Sequence, residues 1–375
     1  MKKETRKTNN NLLFNVELFL YSRSLHISMI VTGFLMLYEQ GIIKLKIITN
    51  FKNKYKFPHP HFVEAIVNNK AILYDCWDLC DWTAADWEKE KWQDISYNET
   101  LLTGIDFYFK RSFLSSRNNV FSAINKKKIF PLGFNFYVSF KNNPLDKYNI
   151  FSIDYLKHIA KKHVFTHKFT KPLFIEDIEA TANYVISKDL KIIFFSRLWD
   201  PHGKDVWNDD KKKEIEYINK TRIDIILKLK QLYPNNFIGG IEYSRLAVDL
   251  CKDIILSGSM TNRINYINTM KNSDICIGSM GLHESIGWKT GEYIAAARAI
   301  INEKFHFEVP YSFKPIKNYL PFENYDECLS AVSSLMNNPD LVYEQKKENE
   351  KYYNNYLRPD KQVLNTFHII ENNQI

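Results

Sequence analysis

The sequence predicts an α/β protein with two domains. Its 375 residues exceed what one compact core usually reaches, and 45% of them are hydrophobic, which is enough to bury a large core. From Asp189 onward, short apolar runs alternate with longer amphipathic segments. This alternation is typical of a parallel sheet with helices on both faces. The pattern is less regular before that point, so the domain boundary is expected near residues 170 to 190.

The first half shows an irregular α/β pattern. The segments LLFNVELFLY and IIKLKIIT predict strands on either side of an apolar helix from His26 to Gln40. Two further strands are expected at KAILYDCW and DFYFKR. Pro131 and Gly133 indicate a loop in KIFPLGF, and HPHF at 59–62 favours another loop.

The second half is more regular. Strands are predicted at LKIIFFSRL, NFIGGIEY, DIILSGS, DICIGS and RAIINE. A helix between the first two strands is predicted from apolar residues at helical spacing, namely Ile215, Ile218, Ile225, Leu229 and Leu232. The final segment predicts one or two polar helices that break at Pro359. In a parallel sheet, ligands are expected at the carboxyl ends of the strands.

Composition and motifs exclude several classes of protein. The five cysteines show no CxxC spacing, so neither a disulfide framework nor a zinc site is indicated, and a reducing cytoplasm fits best. The apolar run Ile27 to Tyr38 is too short to span a bilayer. No Walker or GxGxxG motif occurs, which argues against ATPases and dinucleotide oxidoreductases. The spacing of His158, His163 and His167 matches no compact metal-ligand set.

Basic residues exceed acidic ones by 8 and occur in local clusters, such as those at 2–7 and at 126–128. Such clusters favour contact with phosphates on lipid headgroups, nucleotides or nucleic acid. A solvated face that aids solubility is the alternative. In FYFKRSF, the mixture of rings and cations around Arg111 fits either contact with an acceptor or anionic surface, or an ordinary strand edge.

Glycines concentrate where the chemistry is expected. Seven of the 12 glycines lie between positions 239 and 291. In this region DICIGSMGLHES predicts a strand and then a loop, followed by a helix from about Ile286 to Arg298. A helix that begins after the carboxyl end of a strand offers free N–H groups and a positive dipole end to a phosphate. Gly287 would let a diphosphate approach this helix closely.

Charged residues lie around the same helix start. Three of them are cations: Arg197 follows a predicted strand, Lys204 lies in the next loop, and Lys289 belongs to the first helical turn. Two others are carboxylates: Glu284 precedes the helix, and Glu292 lies on its second turn. Together the cations indicate an anionic ligand. Surface charge for the cations, a helix cap for Glu284 and a surface position for Glu292 are the alternatives.

The stretch from Phe194 to about Tyr343 resembles the carboxyl-terminal, nucleotide-sugar-binding domain of retaining group-1 glycosyltransferases, which have the GT-B fold. Five signals carry the resemblance, in the order in which the family has them. They are SRLWDPHGK, YINTMKNSDICI, the E-x7-E motif from Glu284 to Glu292, EYIAAARAII and LSAVSSLMNNPDLV. The resemblance implies two Rossmann-like domains that face a central cleft.

The resemblance also implies roles for individual residues. Arg197 and Lys204 would hold the donor diphosphate, with Lys289 and Gly287 at the helix start. Glu284 would meet the transferred sugar, His283 would lie near it, and Glu292 would bind the ribose hydroxyls. The family needs no metal and no cofactor, since the nucleotide sugar is itself a substrate.

The expected organisation is an acceptor-binding domain at 1–185, a nucleotide-sugar-binding domain at 186–345, and a helix at 346–375 that packs back on the first domain. The expected function is sugar transfer, with retention, to a glycan or lipid-linked acceptor in bacterial surface polysaccharide synthesis. The protein would be cytoplasmic and would touch the inner, anionic face of the membrane, without a nucleic-acid partner. The alternative is a non-enzymatic protein that binds nucleic acid or an anionic surface.

Overall fold

A computed structural model of the chain describes residues 13–51, 60–78, 102–146, 173–180, 186, 188–203 and 208–373. The strands of these segments form a six-stranded sheet in the first half and a five-stranded sheet in the second half. The predicted α/β fold with two sheets is therefore confirmed. Lys204, the basic cluster at 2–7 and the three histidines at 158–167 lie outside the described residues.

The first sheet has the order β2-β1-β3-β4-β5-β6. Its strands are β1 (Phe14–Leu20), β2 (Ile43–Thr49), β3 (Phe62–Val67), β4 (Lys70–Asp75), β5 (Phe107–Lys110) and β6 (Ile129–Pro131). Strand β3 runs antiparallel to β1 and β4, whereas the other neighbouring strands are parallel. The predicted strand, helix and strand at the start of the chain are confirmed, but one strand was missed and one loop prediction is wrong in part. Strand β3 was not expected, and the short β6 replaces part of the loop predicted at Pro131.

The second sheet is parallel throughout and has the order β11-β10-β9-β7-β8. Its strands are β7 (Ile192–Ser196), β8 (Phe237–Ile241), β9 (Ile275–Gly278), β10 (Ala299–Glu303) and β11 (Leu320–Phe322). The segment DIILSGS, predicted as a strand, contributes only a single bridge between Ile255 and Ile241. The next strand after β7 in the chain, β8, lies beside one edge of β7, and the strand after that, β9, lies beside its other edge. The strand order therefore changes direction between β7 and β9, as in doubly wound sheets.

The helices connect and cover these sheets. They are α1 (Ser28–Glu39), α2 (Ala123–Lys126), α3 (Ile175–Ile178), α4 (Asp209–Leu232), α5 (Arg245–Cys251), α6 (Gly258–Thr261), α7 (Arg263–Lys271), α8 (Trp288–Ala295), α9 (Tyr325–Met336), α10 (Pro339–Tyr352) and α11 (Pro359–Asn372). The break predicted at Pro359 is confirmed, because α11 begins there after the π-helical turn Tyr353–Leu357. Within the described segments, no helix is long and apolar enough to cross a membrane.

The two halves share one buried cluster. It combines Met29 and Met36 of α1 with Phe134 and Phe136 from the segment after β6, and with residues around the second sheet such as Ile193. A separate core lies on the first sheet and includes Val363 and Phe367 of α11. The last helix therefore packs against α1, although it follows the second half in the chain. This packing brings the two sheets into one structure.

Replacing Gly33 with Ala should lower the free energy of unfolding by roughly 1–3 kcal/mol, the usual cost of overpacking. A Cβ at this position of α1 would collide with the backbone oxygen of Pro359 and with the side chain of Val363. Urea titration measures the change. Gly104→Ala is the matched control, because a Cβ there meets nothing within 4 Å. Equal stability of the two variants would contradict the close approach of α1 and α11.

Candidate functional site

The candidate site lies at the carboxyl edge of the second sheet, where β7 and β9 are neighbours. The chain leaves β7 toward α4 and leaves β9 toward α8, so the two connections diverge at this point. A crevice at such a change of direction is the usual ligand site of an open α/β sheet. The topology therefore indicates this position independently of any motif.

A buried arginine on α4 holds the two strand ends together. Arg222 donates through Nη1 to the carbonyl of Arg197, after β7, at 2.7 Å. It also donates to the Met280 carbonyl at 2.7 Å and to Ser279 Oγ at 3.0 Å, both after β9. Burial lowers the pKa of Arg222 to about 10, and the nearby carboxylate of Glu303 opposes this shift. Glu303 itself accepts a hydrogen bond from the Met280 N–H.

Two of the predicted cations lie at this edge. The Arg197 side chain is exposed, and its guanidinium lies over the Trp199 ring at 4.0 Å. The Lys289 ammonium instead turns toward β7, where it donates to the Phe195 carbonyl and lies 5.2 Å from the centre of the Tyr266 ring. Burial lowers the pKa of Lys289 to about 8, while the charge of Glu292 opposes the shift. Arg197 also acts on this pKa, so the two cations share one electrostatic environment.

The helix start does not require a glycine at position 287, whereas the end of β9 requires one at position 278. Gly287 is the N-cap of α8, has a φ of −62°, and receives no side-chain capping hydrogen bond. A Cβ on it would come no closer than 3.3 Å to another residue, the Ser279 carbonyl oxygen. At Gly278, the last residue of β9, a Cβ would collide with the side-chain oxygen of Asn302. Gly278 is therefore required for packing, whereas Gly287 leaves the helix start open.

Glu292 is buried deeper than the sequence suggested. Its side chain is 1% exposed, and Oε1 forms an ion pair with Arg263 of α7 at 2.6 Å. The second oxygen, Oε2, is also buried and has no hydrogen-bond partner among the described residues. Arg263 in turn donates to the carbonyl of Tyr137, which precedes the second half. The carboxylate therefore lies under the edge of the sheet and keeps one unused acceptor.

His283 and Glu284 form a strained turn before α8. Both residues are left-handed, with φ values of 63° and 55°, although neither is a glycine. The His283 N–H donates to Glu214 at 2.8 Å, and its Nδ1 lies 3.1 Å from the Lys211 ammonium. Burial and the charge of Lys211 lower the pKa of His283 to about 3, so the ring is neutral at pH 7. The side chain of Glu284 is 55% exposed and lies 3.2 Å from His306 Nε2.

The structure thus places the predicted residues in two adjacent groups. Arg197, Lys289 and Gly287 lie near the ends of β7 and β9, with Glu292 beneath them. His283 and Glu284 form the second group, together with Lys211 and Glu214 of α4 and with His306. Arg222 connects the ends of β7 and β9 beside both groups. In the described segments, no cluster of three His, Cys, Asp or Glu residues could hold a metal ion.

The sequence reasoning missed Lys211 and Arg222, although a signal was present. Both lie on the same face of α4 as Ile215, Ile218, Ile225 and Leu229, and both are buried. Residues at this spacing form one stripe of a helix that faces the core. A charged residue in such a stripe is rarely buried without a partner, so each should have been predicted as a site residue.

The carboxyl edge of the first sheet meets the second half at the same place. Arg111, directly after β5, donates to the carbonyl of Ile286, directly before Gly287, at 2.6 Å. His26 follows β1, and its ring lies edge-on to Trp288, the first residue of α8, at 4.8 Å. The start of α8 is therefore in contact with both halves.

Comparison with protein-family models finds no match, and comparison with curated protein sequences finds none either. Solved structures of low identity are similar. A putative UDP-N-acetylglucosamine 2-epimerase of Listeria monocytogenes is 10% identical, with 97% of this chain and 96% of that chain covered and a TM-score of 0.45.

Two glycosyltransferases are also similar. The carboxyl-terminal domain of the group 1 family glycosyl transferase LpcC from Francisella tularensis is 15% identical over 48% of this chain and 95% of that domain, with a TM-score of 0.32. A glycosyltransferase of Rickettsia africae ESF-5 is 14% identical over 74% of this chain, with a TM-score of 0.39, and the match spans 65% of that enzyme. At these identities and TM-scores the likenesses add nothing to the site, which the chain's own topology defines.

Replacing Arg222 with Ala should lower the free energy of unfolding by about 3 kcal/mol, because three hydrogen-bond acceptors would lose a charged donor in a buried position. Urea titration followed by circular dichroism measures it. Arg245→Ala is the control, since that arginine is exposed and should change stability by no more than about 0.5 kcal/mol. A loss as small as that of the control would show that Arg222 does not hold the two strand ends together.

Proposed function

We propose that the protein is a glycosyltransferase that moves a sugar from a nucleotide-sugar donor to a glycan or lipid-linked acceptor, with retention of anomeric configuration. The observation that carries the proposal is the change of strand order between β7 and β9, with Arg197, Lys289 and the start of α8 at its carboxyl edge. The acceptor-binding half would be residues 1–185 and the donor-binding half residues 186–345, followed by the helical segment 346–375.

A diphosphate suits the charge of this edge. The first N–H groups of α8 carry the positive end of the helix dipole, and Gly287 leaves the approach open. Arg197 is exposed beside it and can bind phosphate through two N–H groups. Lys289 lies in the same electrostatic environment as Arg197. Lys204 follows Arg197 by seven positions in the sequence. Fixed positive charge at this position would stabilise the departing nucleoside diphosphate, so neither metal nor cofactor is required.

The unused oxygen of Glu292 supports a role in holding the ribose. A buried carboxylate oxygen without a hydrogen-bond donor is unusual in a folded protein. A ribose hydroxyl would supply the missing donor, while Arg263 keeps the other oxygen in place.

The turn at His283 and Glu284 supports a role next to the reacting sugar. Strained backbone that neighbouring contacts hold in place is frequent at functional sites. Of the two carboxylates, Glu284 is the accessible one, so we assign it to the transferred sugar. His283, which is neutral, would act there through hydrogen bonds.

The first half would bind the acceptor at the membrane. Lys126 and Lys127 are exposed on and after α2, next to Ile124, which is 69% exposed. Cations beside an exposed apolar side chain suit contact with an anionic lipid surface. We therefore propose a cytoplasmic protein that touches the inner face of the membrane and acts in bacterial surface polysaccharide synthesis, without binding nucleic acid.

A panel of nucleoside diphosphates and nucleotide sugars tests the proposal by thermal shift, because a ligand that binds only the folded state raises its stability. At least one member should raise the melting temperature at constant salt. Glu292→Gln should weaken that binding roughly tenfold, the effect of losing one charge-assisted hydrogen bond. Glu284→Gln should leave binding nearly unchanged and slow sugar transfer at least about a hundredfold. Transfer is measured by release of the nucleoside diphosphate.

Glu344→Gln is the control, because this exposed glutamate pairs with Lys347 of the same helix, α10. Its binding and transfer should equal those of the unchanged protein. If no nucleotide shifts the melting temperature while nucleic acid binds with a steep salt dependence, the glycosyltransferase proposal is wrong and the nucleic-acid alternative is supported.

Binding of the diphosphate should weaken as the pH rises from 7 to 9. Lys289 has a pKa of about 8 in the folded protein, below its usual 10.5, so it loses its positive charge across this interval. Lys289→Arg should remove the pH dependence, because the guanidinium stays protonated. Isothermal titration calorimetry at pH 7, 8 and 9 measures the affinity. An unchanged pH profile in Lys289→Arg would show that Lys289 does not face the ligand.

A further inference from the structure

Arg111 is a buried cation at the junction of the two halves. Its side chain is 4% exposed and forms an ion pair with Asp78, which follows β4 in the same sheet. Nη2 donates across the junction to the Ile286 carbonyl, which is 175 positions away in the chain. Burial lowers the pKa of Arg111 to about 10, but the group remains a cation at pH 7. A charge this deeply buried needs a counterion.

Asp78 is the carboxylate that forms the direct ion pair with it, while the charge of Asp75 acts on Arg111 without pairing with it directly. The neighbouring cation Lys110 pairs with Asp75 at 2.7 Å, and both of those side chains are fully buried. The nearby rings of His26 and His61 add no charge, because burial lowers both pKa values and Arg111 lowers them further. Asp78 differs from Asp75 in that its side chain is 33% exposed. It can therefore return to water at lower cost than a fully buried carboxylate.

The position of Arg111 relative to α8 gives it a second role. Its guanidinium is bonded to the residue directly before Gly287, the N-cap of α8. Taking the proposed function as the premise, we infer that Arg111 is a donor-binding residue supplied by the first half. Its guanidinium exchanges Asp78 for the diphosphate that binds at the start of α8.

The exchange is favourable because the two anions differ. A diphosphate carries more charge than one carboxylate and offers several oxygens to the planar guanidinium. Arg111 stays paired throughout, so the cost of an unpaired buried charge does not arise. Asp78 moves into solvent, where an exposed carboxylate is stable. The donor site would then contain cations from both halves, so that donor binding depends on contact between them.

Two substitutions with opposite effects test this inference. Binding of a nucleoside diphosphate and of inorganic pyrophosphate is measured by isothermal titration calorimetry in the full chain. Arg111→Gln should weaken binding of both ligands roughly ten- to a hundredfold, because a buried charge-assisted contact is lost. Asp78→Asn should tighten binding of both ligands severalfold, because the competing anion is gone. Arg111→Lys, which retains the charge, should bind with intermediate affinity.

Matched controls separate this effect from a loss of structure. Asp106→Asn removes a half-exposed carboxylate at the other edge of the first sheet, where it caps Ala71. Arg298→Gln removes an arginine that donates to backbone carbonyls before the amino ends of β9 and β10, on the edge of the second sheet opposite the candidate site. Neither variant should change the affinity for either ligand. Melting temperatures of all variants are recorded without ligand.

The outcomes distinguish this inference from the proposed function. If Asp78→Asn leaves binding unchanged or weakens it, Asp78 does not compete and the inference is wrong, even where Arg111→Gln fails to fold. If the unchanged protein binds pyrophosphate but no nucleoside diphosphate, the proposed donor is wrong and the Arg111 variants still decide the anion site. If it binds neither ligand, both proposals are overturned.

Discussion

The candidate site depends on the buried guanidinium of Arg222. The loops after β7 and β9 leave the sheet in different directions, and backbone groups at both strand ends need partners. Arg222 supplies donors to both loops from a single side chain on α4. Since its planar group has a fixed geometry, it also fixes the distance between the two loops. The exposed Arg197 and the start of α8 are positioned by this contact.

A second constraint is the balance of charge in a region with little water. The buried Arg222 and the partly buried Lys289 and Arg263 have carboxylates nearby, namely Glu303 and Glu292. Where the cost of removing the cation from water exceeds its attraction to the carboxylate, the pKa of the cation falls, as at Lys289. An anion of higher charge than a carboxylate would therefore stabilise the charged form of such a cation further. The same reasoning applies to Arg111 and Asp78 on the opposite side of the junction.

The parallel sheet of the second half was predictable because its strands and helices have distinct periodicities, and the strand ends then located the site. The hairpin of β3 and β4 was missed, although two asparagines between apolar runs were a usable signal. Asn68 and Asn69 have φ values of 47° and 69°, which a tight hairpin turn requires. The contact of Arg111 with Ile286 could not be predicted, since local pattern carries no information across 175 positions.

The start of α8 lies where the two halves of the chain meet. Trp288, the first residue of α8, touches His26, and Arg111 donates to the residue before the N-cap. The loop that precedes this N-cap is bonded to Arg222 of α4 in the second half. A donor bound here would lie between surfaces that belong to different halves of the chain. Under the proposed function, exclusion of water between these surfaces would strengthen each ionic contact with the diphosphate and would limit hydrolysis of the donor. The packing of α11 on α1 is a further contact between the halves, so their association does not depend on the start of α8 alone.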